Sequence, residues 1–297
     1  MMTLNSTLIN HCVVKERDLY AESYWVNDLV QNHMDDEFHL RAQLGYQEYK
    51  TLNNLTSQVC IIEMEENDQE HSPENTCEEI DIHFASIIRS VFHQHSFRTY
   101  FAIQNNRLVI LAFDLFLSKT RKEQLLKKEK LQLISKQIDA VFNREKRKSV
   151  QVFMGVSSSN IGFKCIHSSH AEASKAIFLK SFFRSSVIFF DDLGAFQILL
   201  NLHEKDQLEG YVFRHLGPLL DEDRKKNSDL LKTLKIYLER NGSKQSVADE
   251  LHIVRQSLYY RLNKIKELLG EDYMCTQNRL ALQLAIQAYE LLKVKSR

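Results

Sequence analysis

No uninterrupted run of about 18 apolar residues occurs in this 297-residue chain, so no membrane-spanning helix is expected. The opening segment, MMTLNSTLINHCVVKERDLY, lacks a basic start and an adequate apolar core, which argues against a secretory signal peptide. No CxxC pair is present. The five cysteines (Cys12, Cys60, Cys77, Cys165 and Cys275) are odd in number and widely spaced, so they read as reduced thiols of a cytosolic protein. P-loop, GxGxxG and GxSxG patterns are absent, which removes the commonest marks of nucleotide, dinucleotide and nucleophilic-serine chemistry. His93-Gln-His95 and His167-Ser-Ser-His170 have the spacing of metal ligands, but no Cys, Asp or Glu partner sits at a suitable interval. They read as helix-surface or turn histidines, and no metal or cofactor is expected. Ser157-Ser-Ser159 reads as a strand-to-helix loop, with an anion cradle of backbone N–H groups as the alternative.

What is present is an uneven distribution of charge around a net of zero. Residues 1–96 hold 5 basic and 17 acidic side chains, residues 97–227 hold 22 and 14, and residues 228–297 hold 12 and 8. An acidic front and a basic back fit a protein whose C-terminal part meets a polyanion. The basic runs Lys119–Lys130 and Arg144–Lys148 read as a solvated helix face rather than a second nucleic-acid site.

The segment from Ser243 to Gly270, SKQSVADELHIVRQSLYYRLNKIKELLG, reads as two helices joined by a tight corner. Ser243 is a good N-cap, with a hydroxyl suited to an orphan backbone N–H of the first turn. Val247, Ala248 and Leu251 fall on one face, and the small Ala248 suits a close helix crossing. The second helix is expected to start near Val254 or Arg255. Leu258, Leu262, Ile265 and Leu269 form its apolar stripe, and Gly270 is expected to end it in a left-handed conformation. The opposite face carries Arg255, Gln256, Ser257, Tyr259, Tyr260, Arg261, Asn263 and Lys264. Arg and Gln at the start of such a helix suit base edges in the major groove. Arg261 and Lys264 lie further along and suit phosphate. Between His252 and Lys266 there are four basic residues and no acid. The alternative reading is an ordinary helical hairpin with a solvated basic face. His252 occupies the corner position where many such motifs hold glycine.

Around the motif, SDLLKTLKIYLERNG opens at Ser228 and ends at Asn241-Gly242, and Thr276 is expected to cap NRLALQLAIQAYELL. From Leu230 to Leu292 the chain strongly resembles the C-terminal DNA-binding domain of the PucR/CdaR family of bacterial transcriptional regulators. The resemblance is carried by Leu230-Leu231-Lys-Thr-Leu234, Tyr237-Leu238, Asn241-Gly242, Ala248, Leu251-His252, Leu258 to Leu262, Ile265, Leu268 to Gly270 and Arg279 to Leu282. The family's recognition helix usually begins His-Arg-Asn-Thr-Leu; here it reads Val254-Arg255-Gln256-Ser257-Leu258. The resemblance implies DNA contacts from Ser243, Lys244, Arg255, Gln256, Ser257, Tyr259, Tyr260, Arg261 and Lys264.

The middle of the chain alternates element types. QVCIIEME (58–65) reads as a strand, the Pro73-containing stretch 66–75 as a loop, and Glu78 to His95 as a helix with Ile80, Phe84, Ile87, Ile88 and Val91 on one stripe. Arg98–Gln104 and Arg107–Asp114 read as strands joined by Asn105-Asn106, a pair suited to positive φ. A long helix over 119–142, a strand over 150–156, a helix near 171–183, a strand over 186–190 and helices to about Leu220 follow. The order β-α-β-β-α-β suggests an α+β, ferredoxin-like sheet with helices on one face. GVSSSNIGFKCIHSSHAEASKAIFLK, VIFFDDLGAFQILL and YVFRHLGPLL resemble the degenerate GGDEF-like domain that precedes the helix-turn-helix domain in the same family. Active GGDEF domains are nucleotide cyclases that hold metal and substrate on a Gly-Gly-Asp/Glu-Glu-Phe hairpin. The corresponding hairpin here is Gln104-Asn105-Asn106-Arg107-Leu108, without the glycines or the carboxylates. Glu63 and Glu65 on the first strand supply one side of such a site only.

At the N-terminus, Asp18 to Gln31 is amphipathic through Leu19, Trp25, Leu29 and Val30, and Asp35–Leu44 reads as a second helix capped by Asp35. About 20 residues precede these helices, so the family's upstream sensory domain is expected to be absent. The expected organisation is an N-terminal helical segment (1–50), a degenerate GGDEF-like domain (51–222) and an all-α helix-turn-helix domain (223–297). The resemblance implies a cytoplasmic, non-enzymatic, homodimeric regulator of a catabolic pathway such as purine or sugar-diacid use, with double-stranded DNA as partner and room for a small-molecule effector or an upstream sensory partner. The alternatives are a protein-interaction module and a nucleotide-binding module.

Overall fold

The computed structural model describes residues 19–32, 37–66, 82–116, 121–146, 150–183 and 185–295, which divide into two compact units, 1–193 and 194–297. In the first unit, α1 (19–30), α2 (Glu37–Leu44) and α3 (Tyr46–Leu52) precede β1 (Thr56–Glu66). Then come α4 (Ile82–Gln94), β2 (Phe97–Gln104), β3 (Arg107–Asp114), α5 (Arg121–Lys146), β4 (Val150–Val156), β5 (Asn160–Ile161), α6 (Ile166–Phe178) and β6 (Val187–Phe189). The sheet order is β2-β3-β1-β4-β6, with β5 on β1. β1 is antiparallel to both β3 and β4, and β6 joins β4 in parallel. The β2–β3 hairpin closes on Gln104↔Arg107, and Asn105 and Asn106 both take positive φ (44° and 64°), the requirement of a two-residue turn.

Both faces of this sheet are covered, which corrects the expectation of helices on one face. Cys60, Ile62, Leu108, Ile110 and Met154 turn to one side and meet Phe84, Ile88 and Phe92 of α4 and Leu131, Ile134 and Ile138 of α5. Ile61, Val109, Leu111, Phe113 and Phe153 turn to the other and meet Trp25, Val26 and Val30 of α1, Leu40 of α2, Tyr49 and Leu52 of α3, and Ala173 and Ile177 of α6. Glycine is required at position 155 of β4, where a Cβ would stand 2.5 Å from the Ala173 carbonyl of α6. Helix α6 starts five residues before the position read from sequence and ends at Phe178, because Cys165 turns the chain into it in a left-handed conformation (φ 66°). The loop expected over 66–75, Ile80 on the α4 stripe, the Asp35 cap and the start of the helix expected at 119 lie outside the described residues, apart from Glu66, which ends β1. Cys60, Cys165 and Cys275 are free thiols; Cys60 is fully buried, and burial pushes its pKa up to about 12.

The second unit is helical: α7 (Phe196–Glu204), α8 (Leu208–Lys226), α9 (Leu230–Glu239), α10 (Lys244–Leu251), α11 (Arg255–Leu269) and α12 (Thr276–Lys295). The division falls at 193/194, ahead of the 222/223 boundary read from sequence, because α7 and α8 pack with α12. Asp223 near the end of α8 then caps α9. Its carboxylate accepts the Leu230 and Leu231 N–H groups at 2.7 and 2.9 Å and the Ser228 hydroxyl at 2.7 Å. Thr276 is the first residue of α12 rather than its cap.

Candidate nucleic-acid interface

Helix α11 is anchored by Leu258, Leu262 and Ile265, all buried, and it packs on α8, α9 and α10. Val247 and Ala248 of α10 are buried opposite, so the two helices meet through a small residue as the spacing requires. The corner between them is His252, which takes φ 53° and ψ 42° and supplies the left-handed turn that glycine gives in related motifs. Its N–H donates to the Asp249 carbonyl at 3.2 Å, and the Ile253 N–H donates to the Ala248 carbonyl at 3.1 Å. Val254 follows in extended conformation and is exposed, and the Leu258 N–H bonds to its carbonyl. Ser243 stands at the N-cap of α10, but its hydroxyl contacts the Ser246 hydroxyl (2.9 Å) and makes no bond to a backbone N–H, contrary to the expected cap. Gly270 ends α11 with φ 99° and ψ 161°: positive φ as expected, but not the left-handed helical region.

The outward side of this corner collects the polar groups. Arg255, Gln256, Ser257, Tyr259 and Tyr260 are exposed on α11, beside exposed Ser243 and Lys244 at the start of α10. Lys244 Nζ stands 4.4 Å over the Tyr259 ring. Arg255 is held: its Nε donates to Gln245 Oε1 at 2.9 Å and its Nη2 donates to the same oxygen. Gln245 is oriented in turn by Asp249, whose two carboxylate oxygens accept its amide at 2.8 and 3.0 Å. Gln245 and Asp249 were not singled out in the sequence; their i, i+4 spacing on one helix was the available signal.

A match to the family model described as the PucR C-terminal helix-turn-helix domain covers residues 230–288, from the start of α9 into α12. The chain carries a PucR-type helix-turn-helix domain. Among curated proteins of Bacillus subtilis (strain 168), it is 32% identical over 92 residues to the proline-responsive transcriptional activator PutR, covering 31% of this chain and 22% of that protein. It is 33% identical over 73 residues to the purine catabolism regulatory protein, covering 25% of this chain and 14% of that one. It is 26% identical over 147 residues to the DNA-binding transcriptional activator AdeR, covering 48% of this chain and 34% of that one. The chain thus spans about a third or less of these relatives' own length.

Within the PucR-type domain, two basic residues assigned to phosphate are engaged by the protein. Arg261 is drawn against α9: its Nη1 donates to Thr233 Oγ1 at 3.2 Å and its Nη2 lies 3.6 Å from Asp229 Oδ2. It is half-buried, and the corner face does not include it. Lys264 remains at the surface but pairs with Glu267 at 2.8 Å, which raises its pKa above the ordinary value. Arg279, at the start of α12, donates to Asn241 Oδ1 at 2.5 Å and ties α12 to the turn between α9 and α10.

The hairpin singled out for cyclase chemistry is also engaged. Arg107 lies 2.5 Å from Glu63, and Lys180 of the α6 exit pairs with Glu63 and, at 2.7 Å, with Glu65. Both carboxylates face cations of the same unit. His95 meets Gln137 at 2.9 Å, and the His167 ring nitrogen donates to the Val30 carbonyl at 2.7 Å, so each has a structural contact. The Ser158 N–H, a donor of the supposed anion cradle, is taken by Glu172 at 2.9 Å.

Proposed function

We propose that this protein is a sequence-specific DNA-binding transcriptional regulator of a catabolic pathway, reading DNA with the N-terminal turn of α11. The observation that carries this is the outward corner of the PucR-type domain, where Lys244, Arg255, Gln256, Ser257 and Tyr259 are exposed together. Arg255 and Gln256 suit base edges, and the cations and hydroxyls around them suit phosphates. Two copies of the chain present two α11 helices to half-sites one helical turn, or a multiple, apart. The first unit acts as a degenerate GGDEF-like, ferredoxin-like domain. The strand order β2-β3-β1-β4, with β1 central and antiparallel to both neighbours, supports that reading. The ion pairs of Glu63 and Glu65 support a role without cyclase chemistry.

The test is fluorescence anisotropy with fragments from upstream of the protein's own and neighbouring genes, across a salt series. Tight binding to one fragment that weakens steeply with salt is expected. Arg255→Ala should weaken binding and relax base preference, and Lys264→Ala should flatten the salt slope by about one unit. Weak binding that is equal for every fragment and indifferent to both variants would assign the corner to protein contacts instead.

A further inference from the structure

β2 is an edge strand, and its outward groups can be enumerated. The hairpin closes on Gln104↔Arg107, so even-numbered residues exchange hydrogen bonds with β3 and odd-numbered ones turn N–H and C=O away from the sheet. Two outward N–H groups are met by α1. The Phe101 N–H donates to Glu22 Oε1 at 2.5 Å, and the Ile103 N–H donates to Ser23 Oγ at 3.1 Å. Thr99, two residues earlier, directs its N–H the same way. It faces a cavity of about 420 Å³ between α1, α4 and β2.

Two arginines line that cavity, each already paired with a carboxylate. Arg89 and His93 stand one turn apart on α4 and both line it, as do Glu22 and Arg98. Arg98 Nε and Nη2 donate to Glu48 at 3.1 and 2.7 Å, which fixes the arginine at the rim. Glu22 shows how a carboxylate sits on this edge: one of its oxygens accepts both the Phe101 N–H and, at 2.7 Å, Arg89 Nη2. The Arg89 guanidinium is stacked 4.7 Å over the Phe101 ring and is held in place for a second acceptor. The volume lies in the range of pockets that hold small molecules, roughly 300–1,000 Å³.

We propose that this cavity is a binding site for a small organic carboxylate, which takes the Thr99 N–H as Glu22 takes that of Phe101, a charge-assisted hydrogen bond from Arg89 and a hydrogen bond from the His93 ring. The ligand's carbon skeleton lies against Leu19 and Phe97, which also line the cavity. The site belongs to the first unit, and its occupancy is measured without DNA, so it stands or falls apart from the reading of the second unit.

Isothermal titration of the full chain with acetate, succinate and glutamate tests this, with succinamide and inorganic phosphate as controls at matched ionic strength. At least one carboxylate is expected to bind with a Kd on the order of a millimolar or tighter, and succinamide and phosphate at least about tenfold more weakly. Thr99→Pro deletes the proposed donor at an outward edge-strand position, where proline is tolerated, and exchanges the buried Thr99 side chain for the proline ring. It should weaken carboxylate binding about tenfold, the cost of one charge-assisted hydrogen bond. His93→Gln, at an exposed position, should weaken it about threefold and supplies the answer if the proline variant loses its circular dichroism. No saturable carboxylate binding, equal binding of phosphate, or wild-type affinity in the folded variants would overturn the proposal.

Discussion

His252 holds a left-handed conformation that costs a residue with a Cβ roughly 1–2 kcal/mol, with His among the side chains that tolerate it best. Its side chain is exposed, so its removal forfeits no buried contact. The two backbone bonds of the corner, from the His252 and Ile253 N–H groups, are available equally to glycine. Against the relief stands the extra freedom of glycine in the unfolded chain, about 0.5–1 kcal/mol. His252→Gly should therefore stabilise the PucR-type domain by about 0.5–1 kcal/mol and raise its melting midpoint by roughly 2–8 °C. Scanning calorimetry of the full chain reads this as an upward shift of one transition. His252→Ala is the control: it removes the same imidazole but keeps the Cβ, so no gain is expected. An equal gain from alanine would place the cost in the imidazole rather than the backbone, and a lowered midpoint in the glycine variant would refute the conformational reasoning outright.

Three further outcomes follow from single side chains. Lys127 is 3% exposed, with its ammonium 3.1 Å from Ser159 Oγ and 3.4 Å from Thr56 Oγ1, and burial pulls its pKa down to about 8. A depressed lysine contributes stability above its unfolded value of 10.5 and loses it as pH falls through about 8. Lys127→Met should thus stabilise the first unit at pH 7 by up to roughly 3 kcal/mol, a gain that shrinks as pH rises above about 8 and vanishes near 10.5 in urea titrations. Arg261→Ala should cost roughly 1–2 kcal/mol by releasing α9, while the salt slope of DNA binding stays as in the parent. An altered slope would return Arg261 to the phosphate contacts. Leu258→Ala, at a fully buried position, should cost roughly 2–5 kcal/mol and abolish DNA binding through loss of the second unit, seen as a lowered urea midpoint.

The strands and their hairpin were legible because they rest on local chemistry: two asparagines tolerate the paired positive φ that the turn demands. The second covered face was harder to read. β3 runs LVILAF without a polar break, the mark of a strand buried on both sides, yet its second cover comes from α1 to α3 and α6, distant in sequence. Helix α6 starts ahead of the expected position because His167-Ser168-Ser169-His170 shows no apolar stripe, whereas Ser169 is buried and bonds Asn160 from within the helix. At the corner, residue types and spacing gave which side chains of α11 are exposed together. They did not reveal that Arg261 turns inward, since its partners Thr233 and Asp229 lie at the start of α9, with all of α10 between.

The held state of Arg255 bears on how the corner would read a base. A free surface arginine loses about 2 kcal/mol of rotamer entropy when it is fixed. Here Gln245, itself fixed by Asp249, holds the side chain in the unbound protein through Nε and one Nη2 hydrogen. Of the five guanidinium N–H donors, the Nη1 pair and the second Nη2 hydrogen remain. That edge presents two nearly parallel donors, the geometry that matches O6 and N7 of guanine. In the proposed DNA-reading role, the charge of Asp249 would weaken attraction to phosphate and so favour discrimination between bases over raw affinity. The acid on α10 is thus consistent with a DNA-reading surface: it narrows the ways Arg255 can engage the groove.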